Sequence, residues 1–482
     1  MVTSMAAIDR AGARPATGVP FEQTKRTAAG AAPAAPTETA PAPGATPTAA
    51  SARAARAAFA VDPAAARLAG AVATATRRAP GPPYGSAAFE AKLDRETGSV
   101  ARPDNRATLL FDGVNSFAER KKLIEGAKDS IHLQTFIFTA DDTGWELARS
   151  LAKKAQEGVD VRVIYDGVGS NRAEGSGIFE FMRKNGVEVK EYGDPLRQFW
   201  DLNNRWHEKH LIVDGKASIE GGMNIADEYA LGGSGKLVFS RGNKQGDTPW
   251  RDADVKIEGP AVHDAQRAFL KNWESVGGKV SEADRRSLFP TPERTPGGAK
   301  VRVVQHRPDE DGDENTGKLY LNAIRSAEKS ITIENAYFVP PKELRNELIA
   351  AAKRGVDVKV MTNSRATNDT GVVSDASRYY YDDLVKAGVK IYERQTSTLH
   401  SKTATFDGKF SIVGSTNLNG RSDGLDSEAA LAVTDGATAR SLERRFAEGL
   451  PEAKAITTQE LKKEGFFTNL KQWALSLFSW TF

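Results

Sequence analysis

Residues 127–138 read AKDSIHLQTFIF, and two hundred positions later residues 327–338 read AEKSITIENAYF. Each is the end of a helix running into a buried strand. Outward from this pair the likeness continues. GVDVRVIY (158–165) matches GVDVKVM (355–361), and GVEV (186–189) matches GVKI (388–391), each after a helical stretch. Strand–helix–strand–helix–strand therefore occurs twice, which predicts an α/β layer architecture in each half. The Gly/Pro-rich run 277–298 separates the halves. The organisation expected is a tail (1–85), a first lobe (86–276), a linker (277–299), a second lobe (300–451) and a C-terminal piece (452–482).

Composition narrows the chemistry. Among 482 residues there is no cysteine, so disulfides, thiolate metal sites and Cys nucleophiles are excluded. Only six histidines are present. The net charge of +3 is unevenly placed: residues 1–80 hold nine basic and four acidic side chains, leaving −2 for the remainder. That stretch is about half Ala or Pro, and its only aromatics are Phe21 and Phe59. It has too little apolar surface to offset its ordering entropy, so a disordered tail is expected. Its Arg-rich composition superficially resembles an organellar transit peptide or the leader of a non-Sec secretion route. No Sec-type apolar segment follows Met1, and no run of about 18 apolar residues suits a membrane span.

Each half closes on a motif. Residues 205–215 read RWHEKHLIVDG and residues 400–408 read HSKTATFDG. Both fit H-x-K-x4-D, and each His is followed seventeen residues later by an Asn, Asn224 or Asn417. On a strand, residues two apart share a face, so His207 and Lys209 point one way, as do His400 and Lys402. Asp214 and Asp407 complete the motif, but they stand in Asp-Gly pairs and should shape the hairpin turn. The returning strand then brings each Asn back beside the His–Lys pair, with Ser415 adding a hydroxyl in the second half.

These residues resemble the phospholipase D superfamily with its duplicated HKD motif, and within it the bacterial cardiolipin synthases. Supporting stretches are GVDVRVIYDGVGS (158–170), GGMNIADEY (221–229), WRDADVKIEGPAV (250–262), NAYFVPP (335–341) and GSTNLNGRS (414–422). The resemblance covers about residues 105–450. It implies two homologous α-β-α sandwich lobes related by a pseudo-two-fold axis, with the active site at their interface. It implies a phosphohistidine mechanism in which His207 attacks phosphorus and His400 serves as acid, then base. Lys209, Lys402, Asn224, Asn417 and Ser415 would grip the phosphate oxygens, with no metal or other cofactor needed. Asp252 and Glu428 are expected to orient the histidines. One departure stands out: where the family has R-S-x3-N-x-E, this chain has Arg421, Ser422, Asp426 and Glu428, an added negative charge near an anionic substrate.

Other features carry less. His210 should lie on the opposite strand face as a packed or surface residue, and His132, His263 and His306 have no comparable constellation. DEDGDEN (309–315) fails the EF-hand pattern at Glu314 and Tyr320, so a solvated acidic loop is expected. The Gly-rich run 231–246 is a loop, either bordering the site or an ordinary surface insertion. Near the C-terminus Phe466, Phe467, Leu470, Trp473, Leu477 and Phe478 recur at helical spacing beside Lys462, Lys463 and Lys471. This segment could dock on the second lobe, but interfacial anchoring would serve an enzyme acting on lipid, and that reading is preferred.

The function expected is a phosphatidyl transferase acting on phosphatidylglycerol-like lipids, with a hydrolytic phospholipase D as the alternative. A nuclease is disfavoured because the body carries no net basic excess, so no nucleic-acid partner is expected. Both motifs lie in one chain, so a monomer can hold the whole site. The expected place is the cytoplasm, peripherally on the membrane.

Overall fold

The computed structural model describes residues 79–193, 204–230, 250–308, 312–463, 471, 472 and 475. The expectations for residues 1–78, for the Gly-rich run 231–246 and for most of the C-terminal segment lie outside the described residues. Among the described residues fifteen strands form the scaffold. The first half supplies β1 (Arg102–Phe111), β2 (Ser130–Thr135), β3 (Asp160–Asp166), β4 (Glu188–Tyr192), β5 (His210–Val213), β6 (Ala217–Gly221) and β7 (Ala253–Glu258). The second supplies β8 (Ala299–His306), β9 (Ser330–Asn335), β10 (Asp357–Asn363), β11 (Lys390–Arg394), β12 (Lys402–Phe406), β13 (Phe410–Gly414), β14 (Glu428–Thr434) and β15 (Ala453–Ile456).

All fifteen belong to one sheet, ordered β15-β11-β10-β9-β12-β13-β14-β8-β1-β7-β6-β5-β2-β3-β4. Read outward from the β8–β1 junction, seven strands of each half follow the same order, the internal repeat in three dimensions, and β15 is added at the outer edge of the second. In each half the three outer repeat strands run parallel because helices connect them, and the motif hairpin adds antiparallel. The strands expected within 127–138, 158–165 and 327–338 are β2, β3 and β9, buried on both faces or nearly so, as parallel strands covered by helices must be.

The halves meet at a narrow seam. β1 and β8 pair antiparallel only at Arg102↔Val301 and Asn105↔Ala299, with a register shift between. Beyond the seam the sheet folds over, so that β6 packs on β13 and β14. Ile212, Val255, Val301, Val413 and Leu431 share one apolar cluster there. Folding the sheet at its centre brings the two motif strands face to face.

Two boundaries differ from the sequence reading. The helix Ala87–Thr97, expected in the first lobe, packs in the second: Phe89 and Leu93 join the cluster of Leu319, Ile331 and Phe406. Arg302 ties it down through Glu90, 2.9 Å away. Residues before it, expected in the tail, are also seated, with the Tyr84 hydroxyl donating to the Ala323 carbonyl at 2.7 Å. Order along the chain does not dictate which apolar face a lone helix covers. The run read as the linker carries a short helix, Glu282–Ser287, and buries Leu288.

Candidate active site

The motif hairpins are built first. Asp214 and Asp407 adopt left-handed backbone, φ +53° and +54°, each followed by a left-handed glycine, the conformation an Asp-Gly two-residue turn needs. The Asp214 carboxylate accepts the backbone N–H groups of Lys128, Asp129 and Ser130, at 2.7–3.1 Å. Asp407 does the same for Glu328, Lys329 and Ser330. Both carboxylates pin the turn end of the hairpin to the start of β2 or β9, with the motif strand between them and the histidines. They do not join the reacting centre.

At the other end the lobes cross over. His207 Nδ1 lies 3.0 Å from both carboxylate oxygens of Glu428, which belongs to the second lobe. His400 Nδ1 lies 2.7 Å from Asp252 Oδ2, which belongs to the first. Backbone bonds set the same exchange: His207 N donates to Ser427 O and His400 N to Arg251 O, both at 2.8 Å. The residue before each carboxylate thus holds the partner lobe's motif strand. With Nδ1–H directed at a carboxylate, Nε2 of each imidazole is left with its lone pair.

Lys209 and Lys402 are 1 % and 0 % exposed. Lys209 Nζ donates to the His207 carbonyl at 2.5 Å and lies 5.4 Å from the Phe136 ring centroid. Lys402 Nζ donates to the His400 carbonyl at 2.6 Å and lies 2.9 Å from His400 Nε2. Burial pushes the two ammoniums down, to about 7 and about 8, although Glu428 and Asp252 oppose it. Burial and the lysines also push both imidazoles down, His207 to about 4 and His400 well below its usual value. The Glu428 carboxyl is pushed up by burial, but His207, Lys209 and Ser415 together hold it below the usual range. At Asp252 burial outweighs Lys402, the Ala253 N–H and Lys209, and lifts the carboxyl to about 6. The centre therefore combines two neutral nucleophilic nitrogens with two poorly solvated cations, an arrangement that an incoming phosphate diester stabilises.

The other expected residues divide. The Ser415 hydroxyl donates to Glu428, joined by Ser422 at 2.6 Å, so Ser415 supports the carboxylate. Gly222 holds the matching place in the first lobe, where a Cβ would stand 2.4 Å from Asp252 Oδ1. Asn224 accepts from Ile137 N at 3.1 Å and donates to the Tyr229 hydroxyl at 2.8 Å. Asn417 is buried with its Oδ1 unpartnered within the protein. Asp426, the departure in the motif, pairs with Arg421 Nε at 2.9 Å. Burial pushes its carboxyl up to about 8, so near neutral pH it adds less negative charge than its identity implies.

Aromatic and acidic groups that the motif reading did not single out frame the centre. Phe136 stands edge-on to His207, with centroids 5.1 Å apart. Tyr229 and Trp250 face His400 at 5.1 and 5.4 Å. Phe136 follows β2, Trp250 stands shortly before β7, and Tyr229 lies in the short helix Asp227–Ala230 after β6. Asp369, which bonds Tyr337 nearby, lies in a loop with no pattern. The remaining histidines are structural. His210 is wedged between Glu208 and Glu220, whose carboxylates outweigh burial and lift it to about 10. His132 stacks on Phe269, His263 stands edge-on to Phe289, and His306 pairs with Asp313 of the acidic loop.

Residues 121–231 and 320–450 match the family described as cardiolipin synthase, PLD-like domain. Cardiolipin synthase 1 of Bacillus anthracis is 32% identical over 374 residues, covering 76% of this chain and 70% of that one. The chain belongs to the phospholipase D-like cardiolipin synthase family. Another member, the cardiolipin synthase of Listeria monocytogenes serotype 4a (strain HCC23), is 32% identical over 378 residues, covering 78% of this chain and 75% of its own. The fold of the family extends to a phosphatidylserine synthase of Haemophilus influenzae Rd KW20, with a TM-score of 0.62 at 15% identity over 82% of this chain and all of that one. Among the described residues of this family member, no helix is long and apolar enough to cross a membrane.

Proposed function

We propose that this chain is a phosphatidyl transferase of cardiolipin-synthase type, which moves a phosphatidyl group from one phosphatidylglycerol-like lipid to another through a phosphohistidine. The observation that carries the reading is the crossed pair His207–Glu428 and His400–Asp252 around two buried lysines.

Binding of the anionic diester raises the proton affinity of His400, which enters the step as an imidazolium protonated at Nε2; His207 Nε2 attacks phosphorus, the bond to the leaving oxygen breaks, and that oxygen takes the His400 proton. Charge gathers on the non-bridging oxygens, and in this reading Lys209, Lys402 and the amide of Asn417 receive it. Glu428 stabilises the positive charge that His207 acquires. In the second step His400 Nε2 takes the proton of the incoming hydroxyl, its oxygen bonds phosphorus, and the P–N bond returns its electrons to His207. Glu428 is the stronger anion of the two carboxyls, held low where Asp252 is raised. That difference favours His207 as the nucleophile, since its ring must carry charge through the covalent intermediate.

A bilayer substrate places the work at a membrane surface, and the reading includes peripheral attachment on the cytoplasmic side. The described part of the C-terminal segment is compatible with docking on the second lobe as well: Lys471 pairs with Asp375 at 2.6 Å, and Leu475 packs with Val339, Val373 and Ala376.

The test is incubation with labelled phosphatidylglycerol in vesicles. Cardiolipin and glycerol are the products expected. Phosphatidic acid alone would replace transfer by hydrolysis, and full activity of His207→Ala would end the phosphohistidine reading.

A further inference from the structure

The two halves of the centre carry the same machinery but different rims. On the His207 side, the residue after β2 is Phe136, whose ring lies against both His207 and Lys209. In the repeat its counterpart after β9 is Ala336, and the next position changes from Ile137 to Tyr337. Tyr337 is half-buried and donates its hydroxyl to the Asp369 carboxylate, 2.7 Å from each oxygen. Asp369 is likewise half-buried, in the loop after β10. Burial pushes its carboxyl up, and the Tyr337 phenol and the Lys402 ammonium oppose this without cancelling it. The Tyr229 phenol, edge-on to His400, lies within electrostatic range of the same carboxylate. Phe136 thus gives the His207 side an aromatic face, and the His400 side carries the Asp369 carboxylate with the Tyr337 and Tyr229 phenols.

A carboxylate is a poor neighbour for a phosphate diester, so this rim does not suit the donor's phosphate. It does suit hydroxyl groups. A carboxyl offers about four lone-pair sites, and the Tyr337 phenol together with the backbone N–H groups of Asp369 and Thr370 does not exhaust them. We infer that Asp369, held by Tyr337, receives the polyol head group of the acceptor lipid on the His400 side and so selects a glycerol-like acceptor over water or a simple alcohol. The inference rests on the phosphatidyl-transfer reading and assigns the acceptor's place within it. A head group that donates one hydroxyl to Asp369 presents its neighbouring hydroxyl to His400 Nε2. That hydroxyl's proton passes to His400, its oxygen bonds phosphorus, and the His207–phosphorus bond breaks with its electron pair returning to His207.

The experiment offers the full chain labelled phosphatidylglycerol in vesicles with 1-propanol as a competing acceptor. Three products divide the phosphoenzyme: cardiolipin, phosphatidylpropanol and phosphatidic acid. In Asp369→Ala the ratio of cardiolipin to the other two should fall about tenfold, the scale of one charge-assisted hydrogen bond. Tyr337→Phe should shift it in the same direction by less. Because the readout is a ratio within one sample, a lower amount of folded enzyme does not imitate it. Asp369→Asn, which keeps the shape, is read alongside should the alanine variant fail to fold. An unchanged ratio in the folded variants overturns this inference and leaves the transfer reading standing. A wild-type protein that makes no cardiolipin overturns the transfer reading, and this inference with it.

Discussion

Replacing Glu428 by Gln removes one charge and almost no volume from the His207 side of the site. The carboxylate accepts from His207 Nδ1 through both oxygens and from the Ser415 and Ser422 hydroxyls. In the proposed mechanism His207 Nε2 bonds phosphorus and its ring becomes cationic, with the anion beside it as the main local compensation. Two unit charges about 4 Å apart attract by about 4 kcal/mol at an effective dielectric near 20. At about 1.4 kcal/mol per decade, phosphoenzyme formation should slow by about a thousandfold. Glu428 also supports the charge on Lys209, which titrates at about 7, so the alkaline fall in activity should move to lower pH in the variant. Rapid-quench measurement of acid-labile phosphoenzyme from labelled phosphatidylglycerol reads the first effect, and a pH–rate profile reads the second. A Glu428→Gln protein with an unaltered melting temperature, forming phosphoenzyme within threefold of the wild-type rate, would refute the reasoning.

Three further outcomes are expected. Asp214→Ala should lower stability by about 3 kcal/mol in urea unfolding, because three backbone N–H groups lose a charged acceptor and a non-glycine without a polar side chain is forced into left-handed backbone. Asp214→Asn should lose less than half of that, and equal losses would contradict the account. Lys209 and Lys402 titrate at about 7 and 8 when folded against 10.5 when free. Unfolding therefore takes up protons between those values, so stability should rise from pH 7 to pH 10, with the full cost of burial present below pH 7. Lys209→Met should make that slope shallower, as read by denaturant midpoints across the range. Phe89→Ala should destabilise the protein by about 3–5 kcal/mol, the range for a buried aromatic. A change under 1 kcal/mol would mean that the helix Ala87–Thr97 does not belong to the second lobe's core.

Much of the site was legible because its rules are local and periodic. The i, i+2 spacing predicted that His207 and Lys209, and His400 and Lys402, act as pairs; the structure places His207 and Lys209 just before β5, and His400 just before β12, which begins at Lys402. An Asp-Gly pair between two strands demands a tight turn, and Asp214 and Asp407 occupy just such turns. The internal repeat predicted paired layers, and the sheet order outward from β1 and β8 is the same in both halves over seven strands. Asp252 and Glu428 were visible as acidic residues preceding strands, so they could be named without knowing which imidazole each would meet.

What the sequence determined by itself was thus the inventory: two lobes, two histidines, two lysines, two carboxylates, and the spacing that couples each histidine to a lysine. Only the tertiary structure decided the pairing. Each carboxylate reaches the other lobe's histidine because the sheet folds at the β1–β8 seam and lays one motif strand beside the segment before the partner's acid. It also decided that the helix Ala87–Thr97 covers the second lobe and that burial weakens the acidity of Asp426. The same holds for the opposed rims of Phe136 and the Tyr337–Asp369 pair, which face one centre from different halves. Spacing along a chain fixes direction within one element. Contact between elements depends on close packing of surfaces far apart in sequence, and no local period encodes it.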